Sequence, residues 1–288
     1  MSGVAFHKMT GSGNDFVMVD GREEPAERWT PARIAAACDR RAGIGADGLV
    51  VLSPAEGGAV RMGYWNADGS RAAMCGNAAL CSTRLAARLG LGRAQGMRLL
   101  TDAGVVESRC VDDAEPVSSA VNAAGDADDR AEIRLPDAAM PAPVTAAVRA
   151  PGEQAMWFGV VGVPHLVVLV GDTARVDLAA RGRPLRFEPA FGPAGANANF
   201  VAPPREPGGP WRIRTYERGV EGETLACGTG TVAAALALAA DCRLTLPAAF
   251  LTAGGEVLTV RARLEAGWAT DIWLGGQGRL VFSGAWSG

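Results

Sequence analysis

A short pattern that occurs twice limits this chain more than any other feature. Tyr64 leads, eleven residues on, into Met74-Cys75-Gly76-Asn77; Tyr216 leads, eleven residues on, into Ala226-Cys227-Gly228-Thr229-Gly230. An Ala/Leu-rich run follows each cysteine at once, over 78–89 and 231–240, so each cysteine sits where a turn becomes a helix. One cysteine before a helix is usually a buried small hydrophobe. Two in the same register point to an internal duplication whose halves face each other, with two thiols flanking one ligand.

The rest of the chain follows the same rhythm. Strand-like runs are predicted at 4–9, 16–20, 49–52, 60–66, 97–101 and 105–110, then at 131–135, 155–161, 165–170, 199–201, 212–217, 257–264, 270–274 and 280–283. Thr30 as N-cap, with Pro31 at the first helical position, opens one further helix. The stretch 111–130, rich in Asp, Ala and Ser without periodicity, reads as a mobile loop or linker. A helix that is apolar nearly all round must be buried. The expected fold class is therefore α/β in the α+β sense. It has two pseudo-symmetric domains, each a curved, mostly antiparallel sheet wrapped around a central hydrophobic helix, with the active site in the interdomain cleft. The first half spans 1–125, with the C-terminal strand 277–288 returning to it, and the second spans 131–276.

Composition excludes several classes. A formal net charge of −3 with 20% charged residues gives no basic excess for nucleic acid or a membrane surface. The longest apolar stretch, the second cysteine helix, is too short to span a bilayer. The N-terminus lacks the basic region and apolar core of a secretory signal, so the cytoplasm is expected. Six cysteines without CxxC spacing, and two histidines, argue against zinc and against a disulfide framework. No metal is expected, and Cys38, Cys81, Cys110 and Cys242 read as packing. Lys8 is the only lysine and lies among unrelated signals, which disfavours pyridoxal phosphate; no cofactor is expected.

A thiol at a helix start faces backbone N–H groups without intrahelical partners and roughly half a positive charge. That favours thiolate and makes a small anion site beside the sulfur. Two thiols on opposite sides of one carbon suit the removal of a proton from one face and its return to the other. Helix N-termini aimed at a substrate carboxylate would stabilise the enediolate that forms. With an unperturbed pKa of about 8.5, one cysteine can be thiolate and the other thiol near neutrality. Thiol–disulfide exchange usually places both sulfurs on one motif. A nucleophilic cysteine hydrolase could use His165, but leaves the second cysteine unexplained.

Several motifs, in order, carry a resemblance. Phe6-His7-Lys8-Met9-Thr10-Gly11-Ser12-Gly13-Asn14-Asp15-Phe16, Asn66-Ala67-Asp68-Gly69-Ser70, Met74-Cys75-Gly76-Asn77, Pro164-His165, Asn197-Ala198-Asn199-Phe200 and Tyr216-Glu217-Arg218-Gly219 running into the second cysteine together resemble the diaminopimelate epimerase family. The resemblance implies a cofactor-independent epimerase that interconverts LL- and meso-2,6-diaminopimelate in the bacterial route to lysine and peptidoglycan. It also implies two pseudo-symmetric α/β domains, a small amino-acid substrate and a homodimer. By position it makes Cys75 and Cys227 the acid/base pair, and Gly76-Asn77 and Gly228-Thr229 the holders of the reacting carboxylate. Asn14, Asn66, Asn199 and Arg218 would bind substrate, largely at its far end, and Glu217 with His165 would support the reacting amino group and the thiols. The chain departs from the family pattern at Gly48, Ala78, Leu80 and Val163, none of which touches a thiol. The competing readings are a racemase or epimerase of another amino acid, such as histidine or a hydroxyproline, and a non-catalytic amino-acid-binding or thiol redox-sensing protein. Asn66 in the first copy stands in register with Arg218 in the second.

Overall fold

In the computed structural model, which describes residues 3–111, 129–145 and 149–288, the chain folds into two units. The expected linker over 111–130 falls, but for its ends, outside the described residues. One unit takes in residues 3–111, 129–134 and 275–288, the other 135–145 and 149–274.

In the first unit β1 (Val4–Gly11) runs antiparallel to β2 (Asn14–Asp20), and α1 (Pro31–Cys38) carries the chain to β3 (Gly48–Pro54), parallel to β2. Antiparallel β4 (Val60–Asn66) follows; α2 (Gly76–Arg88) then crosses to β5 (Met97–Thr101), parallel to β4, and β6 (Gly104–Cys110) returns beside β5. β7 (Arg130–Leu135) pairs antiparallel with β6.

The second unit repeats this wiring. After the two-residue strands β8 (Ala138–Ala139) and β9 (Ala142–Pro143), β10 (Glu153–Val161) runs antiparallel to β11 (Val163–Val170). Then α3 (Leu178–Arg186) leads to β12 (Asn197–Ala202), parallel to β11, with β13 (Trp211–Glu217) antiparallel beside it. A short β14 (Gly222–Thr224) precedes α4 (Gly228–Ala240), which crosses to β15 (Ala248–Leu251), parallel to β13, and β16 (Val257–Glu265) returns antiparallel. Of the last two strands, β17 (Trp268–Gln277) and β18 (Arg279–Trp286), β18 pairs antiparallel with β1. Each unit thus holds two parallel pairings within a mostly antiparallel sheet. They arise at the helical crossovers, because parallel neighbours need a long return connection.

Buried side chains enclose the cysteine helix of each unit, and a further cluster packs about α1 in the first unit and about α3 in the second. In α2 the buried run is continuous from Asn77 to Thr83, and in α4 from Gly230 to Leu238, so both helices are enclosed nearly all round. Isolated helices of this length are marginal in water. Burial of each Leu or Val, about 1.5–3 kcal/mol, is what holds them. The expected α1 cap is present, with Thr30 accepting from Arg33 N–H at 3.3 Å.

Two expectations change. The helix α3 forms where the sequence analysis expects no element, and it holds Gly182 and Pro184, two residues of low helix propensity. Yet Asp177 caps it, accepting from Ala180 N–H at 3.0 Å, and Gly182 is needed where the helix lies on Tyr216. A Cβ at 182 would stand 2.5 Å from the Tyr216 Cβ. Cys242, expected in packing, is exposed; it follows α4 with a left-handed φ of 54°, ending the helix rather than filling a core. No helix among the described residues is long and apolar enough to cross a membrane.

Candidate active site

Both cysteines are N-caps. Cys75 has φ/ψ of −139°/126° before α2 and Cys227 −128°/106° before α4, and neither helix start carries a side-chain cap. Each cysteine carbonyl accepts the first helical bond, from Ala79 and Thr231 N–H respectively, both at 2.9 Å. At the second helix start the Gly230 N–H bonds the Cys227 sulfur.

In the first unit Asn14, Asn77 and Asp47 form a chain. Asn77 Nδ2 donates to Asn14 Oδ1 at 2.8 Å, and Asn14 Nδ2 donates to Asp47 Oδ2 at 3.0 Å. Arg40 ties Asp47 to Asp15, at 2.7 and 2.6 Å, and the buried Lys8 ammonium sits 2.7 Å from Asp15. Burial opposes the Asp15 charge, but Arg40 and Lys8 outweigh it and hold this carboxyl at about 2. Lys8 is thus bound up in holding the Asn14 turn, and Asn14 and Asn77 have fixed amide orientations. Asn66 is exposed at the end of β4, and Gly76 has open space about it, its nearest neighbour being Ile133 Cδ1 at 3.7 Å.

In the second unit His165 on β11 is wholly buried, and Asn197 and Asn199 on β12 point their amides at its Nδ1, at 3.4 and 3.3 Å. The Leu166 carbonyl accepts from Asn199 Nδ2 at 3.0 Å, and the Arg218 N–H donates to Asn197 Oδ1 at 2.7 Å, which fixes both amides. The network therefore assigns Nδ1 as acceptor and the ring proton to Nε2. Thr215 donates to Asn199 Oδ1 at 2.9 Å. Asn199, expected to touch substrate, is fully enclosed with its amide committed to these partners, so it supports His165 instead. The polar group beside Arg218 is Asn197, which stands in the same motif. Its place two residues earlier on the same face of the strand was the signal that could have found it.

The electrostatics of the second thiol differ from the helix-dipole expectation. Cys227 is 8% exposed, and burial, followed by the nearby Glu217, pushes its pKa up to about 12 against the Gly230 N–H and the Thr229 hydroxyl. Desolvation outweighs the helix end, and Cys227 is a thiol at neutral pH. Burial also raises Glu217, opposed by the Thr224 hydroxyl that donates to it at 2.7 Å. Thr229 Oγ1 lies 3.9 Å from the Cys227 sulfur. Among the described residues no group of His, Cys, Asp and Glu is placed to hold a metal ion.

Burial drives the His165 pKa down to about 3, with the Val161 main chain opposing. An unfolded chain binds that proton below about pH 6.5 while the folded one does not, so stability falls as pH drops from 6.5 toward 3. From pH 7 to pH 5 the cost is about 2 kcal/mol. His165→Asn keeps an acceptor near the Nδ1 position and removes the titration. Urea melts at both pH values should show a smaller loss for this variant; equal losses would mean His165 does not titrate as placed.

The sequence comparisons with known proteins agree on one family. A profile described as Diaminopimelate epimerase matches residues 6–125 and 159–263. A diaminopimelate epimerase of Gemmatimonas aurantiaca is 51% identical over 237 residues, 82% of this chain and 79% of that protein. One from Aquifex aeolicus is 34% identical, covering 97% of this chain and 96% of its own. A phenazine biosynthesis PhzC/PhzF protein of Clostridium difficile shares the fold, with a TM-score of 0.67 at 12% identity over 98% of each chain. The doubled wiring, the two cysteine N-caps and these matches lead to one assignment: the chain belongs to the diaminopimelate epimerase family.

Proposed function

We propose that this protein interconverts LL- and meso-2,6-diaminopimelate by two-base proton transfer at the α-carbon, with Cys75 and Cys227 serving opposite faces. The observation that carries this reading is a cysteine N-cap at the same topological position in each of two like-wired units. In the proposed reaction the thiolate removes the α-proton while the other thiol delivers one, and the roles exchange in the reverse direction. The N–H groups of Gly76-Asn77 and Gly228-Thr229 meet the carboxylate, where the charge of the enediolate grows. Glu217 faces the amino group and Cys227. Wholly buried and neutral, His165 transfers no proton; with Asn197 and Asn199 it holds the strand ends beneath Cys227 and Arg218. Arg218, Asn66, Asn197 and Asn14 are the polar groups for the distal end, a carboxylate and an ammonium that only a diamino diacid supplies.

The same reading places the enzyme in the cytoplasm, where thiols stay reduced, and makes it a homodimer acting without a cofactor. Incubation with LL-diaminopimelate, free histidine and 4-hydroxyproline, followed by chiral chromatography, separates the candidates. Conversion of diaminopimelate is expected. Conversion of histidine or hydroxyproline instead would replace the substrate, and conversion of none would favour a non-catalytic amino-acid-binding or redox protein.

A further inference from the structure

The phenol of Tyr64 has no part in the chemistry above, yet it joins two of its residues. The ring is buried on β4, edge-on to Phe16 at 6.0 Å between centroids. On β3, Val50 stands across from Tyr64, and Gly48, which pairs with Asn66, lies diagonal to it; a Cβ at 48 would lie 2.7 Å from Tyr64 Cε2 and 3.3 Å from the phenol oxygen. No side chain at 48 is compatible with this ring position, so Gly48 leaves the room into which the hydroxyl reaches. Oη lies 3.2 Å from Asn66 Oδ1 and shares a hydrogen bond with the Cys75 thiol. Asn66 Nδ2 is tied to Ser70 Oγ at 3.0 Å, which keeps Oδ1 turned toward the phenol.

A phenol has one proton to donate. When Cys75 is a thiol, its S–H donates to Oη and the phenol donates to Asn66. When Cys75 loses its proton to solvent, the O–H turns to the sulfur and Asn66 Oδ1 loses its donor. Burial, then the charge of a Cys75 thiolate, keeps the Tyr64 pKa above that of an ordinary tyrosine, so the phenol stays a donor throughout. Asp47 and Cys38 also face the phenol, and Cys81 lies close to Cys75; each opposes further negative charge when ionised. Tyr216, at the matching place of the second unit, donates instead to the Glu221 carbonyl at 2.8 Å. The arrangement belongs to one half only.

We propose that Tyr64 is a positioning residue that switches its single O–H between Asn66 and Cys75, so that a cationic ligand donor seated on Asn66 Oδ1 favours the Cys75 thiolate. This rests on the reading of Asn66 and Cys75 as site residues. The test is the rate of iodoacetamide labelling of Cys75 against pH in the full-length protein, read peptide by peptide by mass spectrometry, with exposed Cys242 as reference. At pH 7, Tyr64→Phe should slow labelling of Cys75 about tenfold, the effect of losing a hydrogen bond to a charged group. Asn66→Ala, which removes the competing acceptor, should speed it. Opposite signs distinguish the switch from simple loosening, which would speed both. Unchanged profiles in both variants, or faster labelling in both, would overturn the proposal. The readout is independent of turnover: an inactive enzyme with these shifts intact would remove the substrate reading and leave the switch.

Discussion

Serine in place of Cys75 or of Cys227 should lower epimerisation by roughly 10²–10⁴-fold, the range that a positioned acid or base contributes. Serine keeps the shape of cysteine but neither ionises near neutrality nor gives up its proton readily. The two losses should differ in kind. Cys227 is held as a thiol by burial and by Glu217, whereas Cys75 meets the Tyr64 phenol and is half-buried. In ligand-free protein Cys75 is therefore the expected base and Cys227 the expected acid. Each variant should keep exchange from the stereoisomer whose proton its remaining thiol can reach. Initial rates from the LL and the meso substrate check this, and equal, modest losses in both directions would sink the two-base assignment.

Alanine at Gly230 is expected to have the second large effect. Its Cβ would stand 2.2 Å from Asn199 Oδ1 and 3.1 Å from the Cys227 sulfur. Asn199 cannot yield cheaply, because Thr215, Leu166 and His165 all hold its amide. The first turn of α4 must shift instead, and the sulfur shifts with it. Overpacking of this kind costs about 1–3 kcal/mol. Misplacement of a reacting group by an ångström costs on the order of 10²-fold in rate. Thermal melts and kcat measured together check both. Gly76→Ala is the control for stability, since beyond its chain neighbours and its own helix backbone no atom would lie closer than 3.7 Å to the new Cβ, and its melting temperature should stay near wild type. A Gly230→Ala enzyme with wild-type melting and turnover would show that the Asn199 contact does not fix Cys227.

How far the fold was legible in the sequence depended on whether neighbours mattered. The cysteine helices were plain because they are apolar nearly all round, and α1 was plain because Thr30 and Pro31 mark its start. By contrast α3 was hidden, since its Gly182 answers to Tyr216 on another strand and looks like a breaker in isolation. The parallel pairings at β2–β3 and β11–β12 were hidden for the same reason: strand direction is a property of the crossover, not of the strand. In the site, residue type and spacing marked the two cysteines, while Glu217 and Arg218, which alone read as a solvated pair, were marked by the family resemblance. Depth was not readable. Asn197 and Asn199 are alike in sequence, and only burial and partners show that Asn199 is enclosed while Asn197 reaches Arg218. The Cys227 pKa failed similarly, because a helix start is visible in the sequence and the burial that outweighs it is not.

Exchange of the α-proton of diaminopimelate by two thiols is visible when the wild-type protein is incubated with LL-diaminopimelate in D₂O and the α-position is followed by proton NMR. The expected result is loss of the α-proton signal as deuterium enters, with meso product forming and no cofactor added. Folded wild-type protein that leaves the α-proton in place would contradict exchange by the two thiols.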